Sequence, residues 1–252
     1  MANLVIDIGN TFTKIALFEG SKSLKFEKFA SVTIPALKEF IGGVKIDRAL
    51  ISTVKKSRGE WELVLASELP LIYFNSSMAG SIKNHYQTPQ TLGPDRLAAV
   101  TGAHQLYPGT SNLVINAGSC ITYDWVDADG NYYGGSISPG LNMRFKALNH
   151  YTSALPLIIA EEMNREEGDD TVSAMRSGVQ NGIKHELEGF IDVYRKKDPN
   201  TNVVLSGGDG NFFDTLLKNS IFAPYIKNEP YMVLKGLNAA LPHQNEYIFQ
   251  GN

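Results

Sequence analysis

The sequence is poor in features that mark secreted, metal-binding and membrane-spanning proteins. Its one cysteine in 252 residues, Cys120, excludes an intrachain disulfide and fits a reducing compartment, and its apolar surroundings predict a buried thiol. No apolar run approaches the ~20 residues that cross a bilayer, and no basic leader precedes the apolar segment that ends at Asp7. The histidines show no metal-ligand spacing. We therefore expect a cytoplasmic protein.

Net charge is also small. The balance of 23 basic and 26 acidic residues gives −3 at neutral pH, which argues against broad binding to nucleic acids or anionic membranes. The chain has neither a P-loop nor a Gly-x-Gly-x-x-Gly turn after a strand. Any phosphate chemistry must therefore use another kind of loop.

The N-terminal segment predicts such a loop. A short apolar strand leads into Asp7 and Gly9, and a polar turn is followed by a second apolar strand. Glycine lets backbone N–H groups approach an anion, whereas a carboxylate would hold a divalent cation or its water shell. Lys14 could meet a phosphate or be a solvated strand lysine. The alternative is an ordinary β-hairpin, because Asp, Gly and Asn are common turn residues.

A second copy of this segment favours the functional interpretation. Asn112–Gly118 repeats Asn3–Gly9, with identities at the first four positions and at the glycine, and at the same offset Thr122 lies over Thr13. Such internal similarity predicts a duplicated fold, although chance similarity between apolar strands is the alternative. A third glycine turn, at Gly207, also follows an apolar strand. Ligands of open α/β sheets bind beyond the carboxyl ends of strands, so we expect the three turns to form a nucleotide site.

Strands alternate with helices along the chain, which predicts an α/β fold. We expect two domains, residues 1–110 and 111–252, the second with a long amphipathic helix at 171–195 and a last helix at 233–241. Asp95 follows a long polar loop at the start of a helix, where it could accept a proton from an alcohol or be an ordinary first-turn acid. Arg96 could bind a substrate carboxylate or form a surface ion pair.

A series of motifs occurs in order along nearly the whole chain: Asp7-Ile8-Gly9-Asn10-Thr11, Tyr86, Leu92-Gly93-Pro94-Asp95-Arg96, Asn116-Ala117-Gly118-Ser119, Gly134 to Gly140, Leu155-Pro156, Thr171, Ser206 to Asp209, and Leu234 to Leu237. This ordered series resembles type III pantothenate kinases. The resemblance implies an α/β fold in which a mixed β-sheet with flanking helices is duplicated to give two ribonuclease-H-like domains around a nucleotide cleft. Acetate and sugar kinases, actin and heat-shock chaperones share this fold.

The resemblance also implies an activity, the ATP-dependent phosphorylation of pantothenate to 4'-phosphopantothenate, the first step of coenzyme A biosynthesis. It implies a homodimer that uses Mg²⁺, with Asp95 as the proton acceptor and Asp7 near the magnesium. The implied ATP contacts are Asp7, Ile8, Gly9, Asn10, Thr11, Phe12, Thr13, Lys14 and Ser119. The implied pantothenate contacts are Tyr86, Gly93, Pro94, Asp95, Arg96 and Thr171.

The chain departs from the family pattern at Asn116. The family usually has an aspartate there, where a monovalent cation such as K⁺ or NH₄⁺ binds. Neutral Asn116 should weaken that site, because hard cations favour carboxylates. Two alternatives stay open, a non-catalytic regulatory or binding protein on the same scaffold and a superfamily kinase for another small alcohol. The presence of Asp7, Lys14, Asp95 and Arg96 favours an enzyme.

Overall fold

The computed structural model describes residues 2–53, 58–162 and 166–241, which divide into two compact units. Of the described residues, the first unit contains 2–53, 58–106 and 232–241, and the second unit contains 107–162 and 166–231. The boundary after residue 106 lies close to the predicted one after residue 110, but the predicted second domain, 111–252, also included the last helix. The last helix belongs to the first unit.

The first unit begins with β1 (Ala2–Ile8), β2 (Thr13–Glu19), β3 (Lys22–Phe29), α1 (Ile34–Ile41), β4 (Ile46–Thr53), α2 (Glu60–Glu68), β5 (Leu71–Tyr73), β6 (Lys83–Asn84) and α3 (Pro94–Leu106). The second unit contains β7 (Asn112–Ala117), β8 (Cys120–Val126), β9 (Asn131–Pro139), α4 (Leu141–Tyr151), α5 (Thr171–Lys197), β10 (Asn202–Ser206), α6 (Gly210–Leu217) and β11 (Ile226–Asn228). The chain then returns to the first unit as α7 (Met232–Ala240).

The two units share one strand order. In the first unit it is β3-β2-β1-β4-β5, and in the second it is β9-β8-β7-β10-β11. The first strand of each unit pairs antiparallel with the second strand and parallel with the strand on its other side. This agreement supports the duplication predicted from the repeated segment. Each sheet is mixed because hairpins pair antiparallel, whereas the crossover strands pair parallel.

Apolar periodicity explains how helices cover these sheets. In the second unit, α5 buries Val179, Ile183, Leu187 and Ile191, which recur every four residues and pack in one core with Leu113 of β7. The helix begins where the Asp170 side chain accepts hydrogen bonds from the backbone N–H groups of its first turn. Its predicted start at residue 171 is confirmed. Of the helices in the described ranges, none is long and apolar enough to span a membrane.

Helix α7 joins the first unit through an approach that only glycine permits. A Cβ on Gly236 would lie 1.7 Å from the Ala98 carbonyl oxygen, and one on Gly102 would lie 2.9 Å from Gly236 Cα. Asn238 adds polar contacts, accepting a hydrogen bond from Asn3 Nδ2 at 3.0 Å and donating one to the Gly20 carbonyl at 2.8 Å. Helix α7 therefore packs directly on α3, the helix that begins at Pro94.

Helix α6 was not expected from the sequence. It begins at the last residue of the run Gly207-Gly208-Asp209-Gly210, whose glycines indicate a loop. The helix nevertheless buries Phe213 and Leu217, one turn apart, against the second unit's core. That apolar pair was the available signal.

Candidate active site

The predicted strand–turn–strand segment of the first unit is present. Gly9 N–H donates to the Phe12 carbonyl at 3.1 Å and closes the turn between β1 and β2. A Cβ on Gly9 would lie 3.0 Å from the same oxygen, so the turn is tight around glycine. The side chains of Asn10, Thr11 and Phe12 are exposed. The turn therefore presents polar groups to solvent, and its role as an ATP loop stays a prediction.

Three polar side chains lie side by side where β1 ends. In the strand register Asp7 pairs with Lys14 of β2 on one side and with Ser52 of β4 on the other. Paired residues of neighbouring strands point to the same face of a sheet. We call Lys14, Asp7 and Ser52 the charged row. Asp7 is 6% exposed and Ser52 is 1% exposed.

The pKa of Asp7 shows that Asp95 lies near the charged row. Burial is the main cause that raises the pKa of Asp7 to about 6, and the Asp95 carboxylate raises it further, while Lys14 and the Ser52 hydroxyl lower it. Two of the predicted site acids therefore lie within electrostatic reach of each other. A cation near them would relieve both the burial cost and the repulsion.

The residues present fit a hydrated magnesium ion better than a closed metal cage. Within residues 2–53, 58–162 and 166–241 there is no group of three or more His, Cys, Asp or Glu side chains that could hold a metal ion. Magnesium in kinase sites is typically held by one or two carboxylates together with substrate phosphates. Asp7, alone or with Asp95, supplies that number of ligands.

Gly93 shapes the position of Asp95. Helix α3 begins at Pro94, and the N–H groups of Arg96 and Leu97 donate to the Gly93 carbonyl at 3.1 and 3.3 Å. A Cβ on Gly93 would lie 2.6 Å from Asp95 Oδ1, so the carboxylate is folded back over the glycine. A larger residue at position 93 would displace the predicted proton acceptor.

Arg96 lies in the interior, so the surface ion-pair interpretation is wrong. The residue is 5% exposed, and its guanidinium carbon is 5.7 Å from the centroid of the Tyr86 ring. Arginine over an aromatic ring is a favourable arrangement. The structure thus brings together two of the residues predicted to contact pantothenate.

The second unit has an equivalent turn at Gly118 and Ser119, and two further glycine turns close around it. Gly140 N–H donates to the Ser119 carbonyl at 3.2 Å, and a Cβ on Gly140 would lie 2.4 Å from that oxygen. Gly207 has φ +99°, and a Cβ there would lie 2.2 Å from the Ala117 carbonyl oxygen. Gly207 thus packs against the residue that precedes Gly118, and a nucleotide site formed by the three glycine turns stays a prediction.

The single cysteine does not follow its prediction. Cys120 begins β8, immediately after exposed Ser119, and is only partly buried. The apolar residues that predicted burial begin one position later, at Ile121.

A second polar row lies at the end of β7. Asn116 pairs with Thr122 of β8 and with Ser206 of β10, and we call these three residues the neutral row. By register, Thr122 takes the place of Lys14 and not of Thr13, because this turn is one residue shorter than the first. The sequence offset therefore fails beyond the glycine. Asn116 Oδ1 is buried and accepts no hydrogen bond from any residue that the structure describes.

Thr171 lies at the start of α5, in the second unit. It is exposed and lines a groove of about 860 Å³ between α4 and α5, with Tyr151, Leu155 and Met175 among the other lining residues. The groove belongs wholly to the second unit. Tyr86, Gly93, Pro94, Asp95 and Arg96 belong to the first unit.

Sequence reasoning missed a polar network beside the Ser119 turn. Tyr123 Oη donates to Glu186 at 2.8 Å, and Arg144 forms an ion pair with the same carboxylate. Burial alone would raise the pKa of Glu186, but these hydrogen bonds hold it below its usual value. Arg144 also donates to the Pro139 carbonyl at 2.9 Å. The network fixes the segment that contacts Ser119, and its residues are too far apart in sequence to show a pattern.

Solved structures define the class of this fold. The chain is similar to a Baf family transcriptional activator from Campylobacter jejuni, with 21% identity, coverage of 94% of this chain and 96% of that chain, and a TM-score of 0.56. It is also similar to the ADPNP-bound activator of 2-hydroxyisocaproyl-CoA dehydratase from Clostridium difficile, with 14% identity, coverage of 95% and 93%, and a TM-score of 0.54. The predicted α/β fold of two ribonuclease-H-like domains is confirmed.

Sequence comparisons define the family. The family model described as type III pantothenate kinase matches residues 3–193. The type III pantothenate kinase of Bacteroides fragilis is 42% identical over 250 residues, covering 98% of this chain and all of that protein. The enzyme of that name from Phocaeicola vulgatus is 40% identical over 246 residues, covering 97% and 99%. The chain belongs to the type III pantothenate kinase family, and the predicted class of enzyme, a phosphotransferase, is confirmed.

Proposed function

We propose that this protein transfers the terminal phosphoryl group of ATP to the terminal hydroxyl of pantothenate, which begins coenzyme A biosynthesis. The observation that carries the proposal is the pair of acids in the first unit, buried Asp7 and Asp95 within its electrostatic reach, in a chain of this family. We infer a cytoplasmic enzyme from the lone cysteine.

Asp95 is the proposed proton acceptor. Phosphoryl transfer proceeds through a loose transition state in which the nucleophile's proton moves late, so an ordinary carboxylate is basic enough. Gly93 and the first turn of α3 hold this carboxylate in place. Asp95 would orient the pantothenate hydroxyl and take its proton as the new P–O bond forms.

The charged row is the proposed phosphate side of the reaction. Lys14 would donate to phosphate oxygens, and the turn from Gly9 to Thr13 would add backbone N–H groups and hydroxyls. Asp7 would hold magnesium directly or through water, and the ion's charge would offset that of the phosphates. Ser119, whose side chain is exposed, is a further proposed ATP contact.

The proposed pantothenate contacts include a charged side chain, Arg96, and an aromatic one, Tyr86. Arg96 can pair with the pantothenate carboxylate through two parallel hydrogen bonds, a geometry that guanidinium groups favour. Tyr86, which packs under the Arg96 guanidinium, would hold it in that orientation.

We also propose a homodimer in which a second copy covers the apolar groove at Thr171, where Tyr151 is 83% exposed.

One assay tests the proposal directly. ADP release is coupled to NADH oxidation, with ATP and Mg²⁺ present and pantothenate added or withheld. We expect release that depends on pantothenate and a product with the mass of 4'-phosphopantothenate. Release that responds equally to other small alcohols would favour a different kinase, and no turnover despite ATP binding would favour a regulatory protein.

A further inference from the structure

The charged row contains a buried hydroxyl whose hydrogen bonding is incomplete. Ser52 is 1% exposed, and its Oγ makes no hydrogen bond of normal distance and angle with any residue in the described part of the chain, although it lies near enough to Asp7 to lower the pKa of that carboxyl. Buried hydroxyl groups are nearly always paired, because an unpaired one gives up its bond to water without compensation. A small reorientation of the Asp7 carboxylate would complete the hydrogen bond with Ser52.

Strand topology shows where this hydroxyl can act. The order β2-β1-β4 places Lys14 on one side of Asp7 and Ser52 on the other. Asp7 thus has a charged donor on the neighbouring strand at one side and a neutral donor on the neighbouring strand at the other. A hydroxyl can rotate to donate to either a carboxylate oxygen or a water molecule.

The second unit provides independent support. Ser206 occupies the same place on β10, beside Asn116, and is 2% exposed. Two units that differ at the central residue and at its antiparallel neighbour thus share a buried serine beside the central residue. Alanine would occupy nearly the same space without a hydroxyl to satisfy, so filling space does not explain serine at both positions.

We propose that Ser52 is a positioning residue of the phosphate-transfer site, whose hydroxyl donates to Asp7 and thereby directs the carboxylate toward the magnesium ion of Mg·ATP. The inference rests on the proposed kinase function. Residues that hydrogen-bond a metal-binding carboxylate fix its orientation, and removing them typically weakens metal affinity about 10–100-fold.

A matched pair of substitutions isolates the hydroxyl. Ser52→Thr keeps the hydroxyl, whereas Ser52→Val has a methyl group where threonine has its hydroxyl. Valine and threonine have nearly the same shape, and both suit a β-strand. Ser52→Ala removes the hydroxyl without adding volume. Ser67→Ala is the control, because Ser67 is an exposed serine of α2 in the same unit whose hydroxyl only donates to the Val64 carbonyl.

The primary measurement is binding of a non-hydrolysable ATP analogue by calorimetry across a magnesium titration. We expect Ser52→Ala and Ser52→Val to need about 10-fold more magnesium for half-maximal binding. Ser52→Thr should remain within about twofold of the unmodified protein because it keeps the hydroxyl, and Ser67→Ala should do so because it is an exposed change away from the ion. In turnover assays the KM for Mg·ATP should rise in Ser52→Ala, while the KM for pantothenate stays unchanged.

Two results would overturn the proposal. One is unchanged magnesium dependence in Ser52→Ala, and the other is an equal loss in Ser52→Thr and Ser52→Val, which would assign the effect to shape. Circular dichroism and thermal melts identify any variant that does not fold, and if Ser52→Val fails, Ser52→Ala against Ser67→Ala decides. Because the main readout is nucleotide binding, a protein that binds Mg·ATP without phosphorylating pantothenate would refute the kinase function and still decide the role of Ser52.

Discussion

The two units carry one sheet topology and different chemistry at the same place. Where the central strand of the first unit ends, the row is Lys14, Asp7 and Ser52; in the second unit it is Thr122, Asn116 and Ser206. The first row has a buried acid beside an ammonium group, and the second has no formal charge. The fold thus supplies the position, and the side chains decide whether it holds charge. We infer that ion and proton chemistry belongs to the first unit.

Asp95→Asn has the largest expected effect and tests whether the proton chemistry belongs to the first unit. Asp95→Asn should lower kcat by about 10²–10⁴-fold, because the amide cannot accept the proton of the alcohol. Steady-state assays with saturating ATP and pantothenate measure it, and thermal melts check folding. Asp214→Asn, at an exposed acid of α6, is the control. Near-normal turnover in Asp95→Asn would remove Asp95 from the mechanism.

Asp7→Asn makes the first row resemble the second. Mg·ATP binding should weaken by about 10–100-fold because a carboxylate ligand is lost. Calorimetry with a non-hydrolysable analogue measures this loss. Binding that stays at the unmodified level would show that Asp7 does not hold the cation.

The same substitution should have the opposite effect on stability without nucleotide. The pKa of Asp7 in the folded protein, about 6, lies above the usual aspartate value of 3.8. Above pH 6 the folded state therefore holds a buried charge that costs stability, and this cost disappears as the pH falls below 4. Asp7→Asn should therefore raise the free energy of unfolding by about 1–3 kcal/mol at pH 8 and change it little near pH 4. Urea unfolding at both pH values measures the difference. An equal effect at both would contradict the burial argument.

The units also differ in how they are completed, because only the first receives a segment from the far end of the chain. Gly236→Ala should destabilise the protein by about 1–3 kcal/mol or more, since its Cβ would overlap the Ala98 carbonyl. Gly189→Ala, on α5 with open space around the added Cβ, should be neutral or stabilising by up to about 1 kcal/mol. Chemical denaturation compares the two. A mild Gly236→Ala would mean that α7 can move away from α3 at little cost.

The smallest expected effect concerns the neutral row. With Asn116 in place, we expect catalysis to depend weakly on K⁺, although the buried Oδ1 still offers one oxygen. Asn116→Asp should create a few-fold activation by K⁺, since a carboxylate binds a hard cation better than an amide. Rates measured from zero to high KCl against a choline chloride control show the response. Steep activation of the unmodified protein would contradict the weakening.

Several strands, turns and helix ends could be predicted because the sequence patterns that indicate them are local. The turn at Gly9, the repeat at Gly118 and the start of α5 each lie within a few consecutive residues. The ordered motifs gave the family for the same reason. Helix α6 was missed because three nearby glycines outweighed one apolar pair.

What the sequence by itself determined is most of the strands, the glycine turns at Gly9 and Gly118, their duplication, the family, and the identity of the candidate acids. Tertiary structure alone decided that α7 returns to the first unit, that Asp7 and Asp95 lie within electrostatic reach, that Arg96 is buried, and that Ser52 stands beside Asp7. The physical reason is that turn and strand preferences act between neighbours in the chain. Burial, register and glycine contacts depend on distant segments packed together, so they exist only in the folded protein.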